Sequence, residues 1–161
     1  MRQSRHRHRC FQGNRRRHCK GAQLDVLVNN AGVFTFEPFK AITVAEFNRE
    51  FSTNVLGPIL TIQEAIAKFG FEGGSVINIS SLAGSRSLPG GILYSATRAA
   101  VENLTYGLAA ELGPRHIRVN AIAPGSTRSE GTEAGGEHNI RNYISMTPLG
   151  TKTLSASELH K

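Results

Sequence analysis

Three short apolar runs alternate along the chain with longer segments that have helical periodicity. The runs are "LDVLVNNAG", "GGSVINISS" and "IRVNAIAPG", and each ends in polar or glycine residues. A short apolar run that stops at turn-forming residues is typical of a buried strand. The order strand, helix, strand, helix, strand predicts a parallel sheet with flanking helices, because parallel strands need crossover connections that cover the sheet.

The first predicted helix begins at Thr43, which can form a capping box with Glu46. Pro58 falls inside the helical pattern and has no N–H to donate. We therefore expect a kink that frees the backbone carbonyl of Asn54. Apolar residues at three- or four-residue spacing predict one buried stripe along this helix. The stripe consists of Val44, Phe47, Phe51, Val55, Ile59, Ile62 and Ile66.

The second predicted helix runs from Leu93 to Leu112 and stops at Gly113-Pro114. Tyr94 lies in its first turn and Arg98 follows four residues later, so a phenol and a cation share one face. The strands end in "NNAG", "ISS" and "APG", and ligands of open parallel sheets bind beyond such carboxyl ends. Each ending alone is equally typical of an ordinary turn. Together with Tyr94, the three endings indicate a binding site at this edge.

The basic character of the chain is confined to its first twenty residues. The 161-residue chain has a net charge of +7, and residues 1–20 contain seven Arg, one Lys and no acidic residue. The remainder carries 11 basic and 12 acidic side chains, a net charge of −1. A nucleic acid could therefore bind only to the head, and we do not expect one to be the partner.

Both cysteines, Cys10 and Cys19, also lie in the basic head. Their spacing does not match a zinc site, so we expect no metal site. The lack of cysteine beyond the head fits a reducing compartment. No apolar run reaches the length of a membrane span, and none follows the N-terminal charges as it does in a signal peptide. We therefore expect a cytoplasmic location and no membrane partner.

Taken together, the motifs resemble the short-chain dehydrogenase/reductase family. "NNAG" (Asn29–Gly32), "N-V-x-G" (Asn54–Gly57), "ISS" followed by Tyr94, and "PG" occur in the family's order, and Ser81 precedes Tyr94 by 13 residues, as in the family. The run "IRVNAIAPGSTRSEGT" is similar to bacterial-type 3-oxoacyl-acyl-carrier-protein reductases and glucose dehydrogenase-like members. The resemblance covers residues 21–136. It implies an NAD(P)-dependent oxidoreductase that transfers a hydride between a nicotinamide cofactor and a carbonyl or alcohol substrate.

The resemblance also implies roles for individual residues. Tyr94 would be the acid/base, because a neighbouring cation stabilises phenolate, and Ser81 would hydrogen-bond the substrate oxygen. Arg98 would hold the nicotinamide ribose, and the freed carbonyl of Asn54 would hold a relay water. The implied catalytic residues are Ser81, Tyr94, Arg98 and Asn54. The residues implied to bind NAD or NADP are Asn29, Asn30, Ala31, Gly32, Tyr94, Arg98, Pro124, Gly125 and Ser129.

Three departures from the family pattern change what we expect of this chain. Arg98 stands where the family has lysine, and a guanidinium cannot pass a proton to a relay water, so we expect impaired activity. The family's glycine-rich turn does not precede the first strand, and the sequence after Gly150 leaves the pattern. We therefore expect truncation at both ends. The expected fold class is α/β, a Rossmann-like parallel sheet with flanking helices that forms only the C-terminal half of the doubly wound fold.

The expected organisation has three parts: a basic disordered head (1–20), a partial Rossmann-like oxidoreductase domain (21–150) and a divergent tail (151–161). The first strand would present an unpaired apolar edge, so we expect marginal stability. The expected partners are a small-molecule carbonyl or alcohol substrate and further copies of the chain, through the helices that carry Asn54 and Tyr94. Two alternatives stay open, a non-catalytic remnant that binds homologous subunits and a nucleic-acid binder that acts through the head.

Overall fold

The computed structural model describes residues 23–125 of the chain. Within them, three parallel strands form one sheet in the order β1 (Val26–Asn29), β2 (Gly74–Ile79) and β3 (Ile117–Ile122). The helices are α1 (Val44–Phe51), α2 (Gly57–Ile66) and α3 (Ile92–Leu112), and a π-helical turn, Ser52–Leu56, joins α1 to α2. Short 3-10 turns lie at Phe39–Ala41, Leu82–Gly84 and Gly113–Arg115. The expected α/β class, a parallel sheet with flanking helices, is confirmed.

Local sequence signals set the helix boundaries. Thr43 caps α1, and its Oγ1 accepts a hydrogen bond from the backbone N–H of Glu46 at 3.1 Å. Helix α3 ends immediately before Gly113, as predicted. His116 then adopts a left-handed conformation with φ of 58°, which turns the chain into β3. The long helix α3 therefore returns to the sheet through a tight turn, and its first turn is left beside the carboxyl ends of the strands.

Helices α2 and α3 cover one face of the sheet and build the core there. Leu27, Val76 and Val119 lie opposite one another in neighbouring strands, so their side chains point to the same face. They pack with Ile62 of α2 and Leu112 of α3. Each fully buried aliphatic side chain of this kind contributes about 1.5–3 kcal/mol to stability. This core fixes the ends of the strands relative to α3.

The opposite face of the sheet is largely open among the described residues. Val26 and Val28 are 51% and 52% exposed, and Ile122 is 52% exposed. The prediction of a buried first strand is therefore wrong for its two valines. The reason is that both helices lie on the Leu27 side of the sheet and that, within residues 23–125, β1 pairs with β2 alone. The apolar edge expected from the sequence is present in this part of the chain.

The predicted apolar stripe of the first helix is wrong in its N-terminal half. Phe47 is 45% exposed, whereas the polar side chains of Glu50 and Asn54 are fully buried at 0% exposure. The buried line continues at four-residue spacing through Pro58 and Ile62. Asn54 turns inward because the loop after β1 presents backbone groups that need hydrogen-bond partners, which its side chain supplies.

The kink predicted at Pro58 takes the form of the π-helical turn. The backbone N–H of Gly57 donates to the carbonyl of Ser52, five residues earlier, which is the π-helical pattern. Pro58 follows at once and has no N–H, so it cannot donate to the carbonyl of Asn54. Asn54 therefore sits where the helix departs from regular geometry, and such departures are frequent at functional sites.

Side-chain hydrogen bonds cross the covered face of the sheet close to the strand ends. Asn29 Nδ2 donates to Asn78 Oδ1 at 2.8 Å, and Asn78 Nδ2 donates to Thr105 Oγ1 of α3 at 2.9 Å. Thr61 Oγ1 of α2 donates to Asn29 Oδ1 at 2.7 Å. Leaving one such buried group unpaired costs about 1–3 kcal/mol. The two asparagines thus connect both strands to both helices.

The buried carboxyl of Glu50 lacks such partners. Neither of its oxygens has a hydrogen-bond partner within residues 23–125. Burial raises the pKa of Glu50 above its ordinary value, and nearby Thr35 offsets only part of that rise. The folded chain therefore holds a proton on Glu50 at pH values where the unfolded chain has lost it. This group makes the free energy of unfolding fall as the pH rises above the ordinary pKa of 4.5.

We predict that Glu50→Gln raises the free energy of unfolding at neutral pH, because an uncharged amide replaces a carboxyl that is costly to ionise in this position. The gain over the wild type should vanish below pH 4.5 and grow as the pH rises. Urea unfolding over a series of pH values measures it. Glu64→Gln is the control, since that carboxylate is 82% exposed and faces Lys68 at 3.7 Å. A gain that does not change with pH would contradict the assignment.

Candidate active site

The carboxyl ends of β2 and β3 are joined beyond the sheet. The backbone N–H of Ser80 donates to the carbonyl of Ile122 at 2.7 Å, and that of Leu82 donates to the carbonyl of Pro124 at 3.0 Å. Strand β1 ends close by, because Asn29 lies opposite Asn78 of β2. The segments "NNAG", "ISS" and "APG" therefore follow strands that end at one edge, the position where open parallel sheets bind their ligands.

Ser81 is held at this edge by the short turn that follows β2. Its Oγ accepts a hydrogen bond from the backbone N–H of Ala83 at 3.2 Å and so caps the turn Leu82–Gly84. As an acceptor there, the hydroxyl keeps its own proton for donation. A Cβ on Gly84 would come within 3.0 Å of the backbone of Arg98. The turn that carries Ser81 therefore lies directly on α3, which glycine permits.

Helix α3 brings Tyr94 and Arg98 to the same edge. Tyr94 lies half-buried in the first turn, and Arg98 lies one turn later with only 7% of its surface exposed. The central guanidinium carbon of Arg98 lies over the Tyr94 ring, 4.9 Å from its centroid. This is a cation–π contact, which is attractive because the ring face is negative. The cation therefore meets the phenol through the face of its ring.

The guanidinium of Arg98 is fixed from two further sides. Nη1 donates to the carbonyl of Ile79, the last residue of β2, at 3.0 Å. Nη2 lies against Gly32, so close that a Cβ at this position would collide with it. Nε is buried and has no hydrogen-bond partner in the described part of the chain. Arg98 thus connects the Tyr94 ring, the end of β2 and the "NNAG" segment.

The side-chain amide of Asn54 clamps the loop that follows β1. Its Oδ1 accepts a hydrogen bond from the backbone N–H of Val33 at 2.8 Å, and its Nδ2 donates to the carbonyl of Val33 at 2.8 Å. Nδ2 also donates to Thr97 Oγ1 at 3.0 Å, and Thr97 donates to the backbone carbonyl of Tyr94 at 2.7 Å. Only a role for the backbone carbonyl of Asn54 was expected from the sequence. The clamp by its side chain is a second role that the sequence did not indicate.

The residues of "NNAG" have two different environments. The side-chain amide of Asn29 is occupied within the fold by Asn78 and Thr61. The segment that follows it is exposed, namely Asn30, Ala31 and Gly32. The exposed backbone is therefore available at the strand edge, while the Asn29 side chain has a structural role. Cofactor binding by these four residues stays a prediction.

The loop after β3 contributes the last predicted positions. Pro124 is half-buried, with its carbonyl bonded to the N–H of Leu82, and Gly125 is exposed. Ser129 lies outside the described residues, as do Cys10 and Cys19 of the basic head. The described part of this loop is therefore held against the turn that carries Ser81.

The edge of the sheet at which the carboxyl ends of the three strands lie has features that fit the nicotinamide end of a dinucleotide. The buried Nε of Arg98 is a donor without an acceptor among the described residues, and a ribose or carboxamide oxygen is an acceptor. Gly32 has no side chain to block the approach to Arg98. The exposed backbone of "NNAG" adds further donors and acceptors beyond the strand ends.

Two other kinds of feature are not found within residues 23–125. No group of three His, Cys, Asp or Glu side chains in this range could hold a metal ion. None of the helices in the same range combines the length and apolar character that a membrane crossing requires.

We predict that Gly32→Ala lowers the free energy of unfolding by about 1–3 kcal/mol, because the new Cβ displaces the buried guanidinium of Arg98. This loss of stability should be smaller in the Arg98→Met background, because that substitution removes the colliding atoms. A double-mutant cycle followed by urea unfolding measures the coupling between the two substitutions. Gly107→Ala is the control, since nothing lies within 4 Å of a Cβ built there. An equal loss in both backgrounds would show that the guanidinium is not the obstacle.

Comparisons with known proteins agree with the motifs. The family model for short chain dehydrogenases matches residues 4–139. An uncharacterized oxidoreductase of Methylorubrum extorquens is 42% identical over 131 residues, which cover 80% of this chain and 52% of that protein. A 3-oxoacyl-[acyl-carrier-protein] reductase of Aquifex aeolicus is 34% identical over 128 residues, which cover 79% of this chain and 52% of that protein. The chain therefore spans about half the length of these relatives.

A solved structure supports the same relationship at the level of the fold. The angucycline C-6 ketoreductase LanV, solved with bound NADP, matches with a TM-score of 0.76 and 29% sequence identity. The match covers 82% of this chain and 51% of that protein. This likeness agrees with the parallel sheet and flanking helices described above. With the motifs, the fold and a family match over most of its length in agreement, the chain belongs to the short-chain dehydrogenase family.

Proposed function

We propose that the chain acts in an NAD(P)-dependent oxidoreductase that interconverts a carbonyl compound and the corresponding alcohol. The observation that supports this most directly is the placement of the Arg98 guanidinium. It lies over the Tyr94 ring and donates to the carbonyl of Ile79, two residues before Ser81. One cation thus connects the phenol to the strand end that carries the serine hydroxyl. The phenol and the hydroxyl are the two groups that carbonyl reduction needs.

Each of these side chains has a separate task in the proposed reaction. When bound, the nicotinamide group supplies or accepts the hydride. Tyr94 gives its phenolic proton to the substrate oxygen during reduction and takes it back during oxidation. Ser81 donates a hydrogen bond to the same oxygen and stabilises the charge that develops on it. Arg98 holds the Tyr94 ring in place through a cation–π contact with the face of that ring.

Arginine in place of the family's lysine is expected to slow this reaction. The guanidinium does not lose its proton, so it cannot pass one from a relay water to Tyr94. Its Nη1 is also bonded to Ile79 and its Nη2 is packed against Gly32. We therefore propose that proton return to Tyr94 limits turnover in this chain, even where cofactor and substrate bind.

The proposal extends to the cofactor, the assembly and the location. NAD or NADP is the cofactor, and the NADP bound to the similar ketoreductase supports the second. Homo-oligomers would form through the helices that carry Asn54 and Tyr94, where Leu56, Leu60 and Tyr106 present exposed apolar surface. A cytoplasmic location is proposed from the lack of cysteine after the basic head.

The test combines cofactor binding with turnover in matched variants. Binding is followed by the fluorescence of NADH and NADPH, and turnover by their absorbance with a panel of ketones. Tyr94→Phe should lower turnover by about 10²–10⁴-fold with unchanged cofactor binding, because only the transferable proton is lost. Tyr106→Phe is the control, since that phenol lies on the same helix and is 75% exposed.

Arg98→Lys should raise turnover, because an ammonium group can exchange a proton with a relay water. Failure of both reduced cofactors to bind at saturating concentration would reject catalysis by this chain. Equal turnover of wild type and Tyr94→Phe would reject the role given to the phenol.

A further inference from the structure

The segment after "NNAG" alternates between side chains turned toward the protein and side chains turned to solvent. Val33, Thr35 and Glu37 are half-buried, whereas the two phenylalanines between them, Phe34 and Phe36, are 42% and 47% exposed. A period of two is characteristic of extended backbone, in which neighbouring side chains point to opposite sides. The segment therefore presents two aromatic rings on one side.

Each inward residue of this segment is bonded to a different element. Val33 is held through both backbone groups by the Asn54 amide, at 2.8 Å each. Thr35 Oγ1 donates to Glu46 Oε2 of α1 at 2.9 Å. The backbone N–H of Glu37 donates to the carbonyl of Gly90, before α3, at 2.9 Å. Attachment at every second residue keeps the two rings in place, although both are partly exposed.

The exposed rings form a row that leads to the reacting phenol. Phe34 meets Tyr94 edge to face, with ring centroids 5.8 Å apart and planes at 63°. Phe36 meets Phe34 in the same manner, at 5.7 Å and 66°. Edge-to-face pairs are a favoured arrangement of aromatic rings, and a further ring can join such a row at its open side. The row therefore continues as an apolar surface from Tyr94 to Phe36.

The space behind this row and the charges around it restrict what can bind. The cavity bounded by Thr35, Glu46 and Leu93 measures about 10 Å³, room for no more than one water molecule. Within residues 23–125, a substrate therefore has room only on the exposed side of the rings. The carboxylate of Glu46 lies beside the segment at Thr35 and is paired with Arg49 at 3.1 Å. An anionic group would lose its hydration against these apolar rings, which disfavours an anionic substrate.

We propose that Phe34 and Phe36 form the substrate wall of the site and select an uncharged, ring-bearing ketone or the corresponding secondary alcohol. The ring of the substrate packs on Phe34 while its carbonyl oxygen reaches Tyr94. The proposal deepens the proposed function, on which the role of Tyr94 rests. The wall itself is built from contacts that do not depend on turnover, so binding can be tested separately.

The probe is 1-tetralone, a neutral aromatic ketone, compared with cyclohexanone and with the anionic keto acid 2-oxobutyrate. Ligand-detected NMR measures the dissociation constant, and NADPH oxidation measures KM and kcat. Wild type should bind 1-tetralone more tightly than either other compound. Phe34→Leu and Phe36→Leu should each weaken 1-tetralone binding by about tenfold, since an aromatic contact is lost while apolar volume is kept.

Three further variants separate the wall from the fold and from catalysis. Phe34→Tyr keeps the ring and should restore tight binding, which excludes misfolding as the cause of the loss. Phe71→Leu removes a fully exposed ring, at 101% relative exposure, from the turn before β2 at the other end of the sheet, and should change nothing. Tyr94→Phe should lose turnover of 1-tetralone, while the binding that remains should still be weakened by Phe34→Leu, because the wall does not need the phenolic proton.

The outcomes distinguish this proposal from the proposed function. Binding of 1-tetralone that depends on Phe34 but leads to no turnover would support the wall and reject catalysis. Turnover with a KM for 1-tetralone that is unchanged in Phe34→Leu would support catalysis and overturn the wall. Equal or tighter binding of 2-oxobutyrate would overturn the preference for uncharged substrates.

Discussion

The amide of one buried side chain, Asn54, holds together the segments that form the candidate site. It pairs with both backbone groups of Val33 and with Thr97, which in turn bonds the carbonyl of Tyr94. An amide can offer a donor and an acceptor side by side, as an extended backbone does. The side chain of a helical residue can therefore bond the N–H and the carbonyl of one loop residue, as a neighbouring strand would. The loop after β1 and the start of α3 are thereby fixed to the same helix.

Arg98 has the complementary task at the strand ends. Its guanidinium contacts the Tyr94 ring, bonds the last carbonyl of β2 and fills the space beside Gly32. A planar fork can satisfy several partners at once, whereas a lysine would offer a single mobile ammonium group. The same fork cannot release a proton. Arg98 therefore assembles the site firmly, and the slow proton return to Tyr94 proposed above would be a second consequence of the same residue.

The sequence predicted those features of the fold and the site that depend on residues close together in the chain. The three strands, the end of α3 and the meeting of the strand ends follow from apolar runs and stop signals. The clamp by Asn54 could not be predicted, because Val33 lies 21 residues away and contributes backbone groups that have no residue-type signature. The exposure of Val26 and Val28 depends on which face the helices cover. The alternation in "VFTFE" indicates from the sequence that two phenylalanines lie on one side of an extended segment. The sequence does not indicate that this side contacts Tyr94.

Hydrogen exchange at the backbone amide of Val33 tests the central role of Asn54 most directly. Val33 belongs to no helix or strand, so its amide would exchange rapidly unless a side chain protects it. Because Asn54 bonds both backbone groups of Val33, this amide should be protected in the wild type and lose its protection in Asn54→Ala, with the amides of β2 still protected. An amide of Val33 that exchanges in the wild type as fast as an open loop would contradict the account.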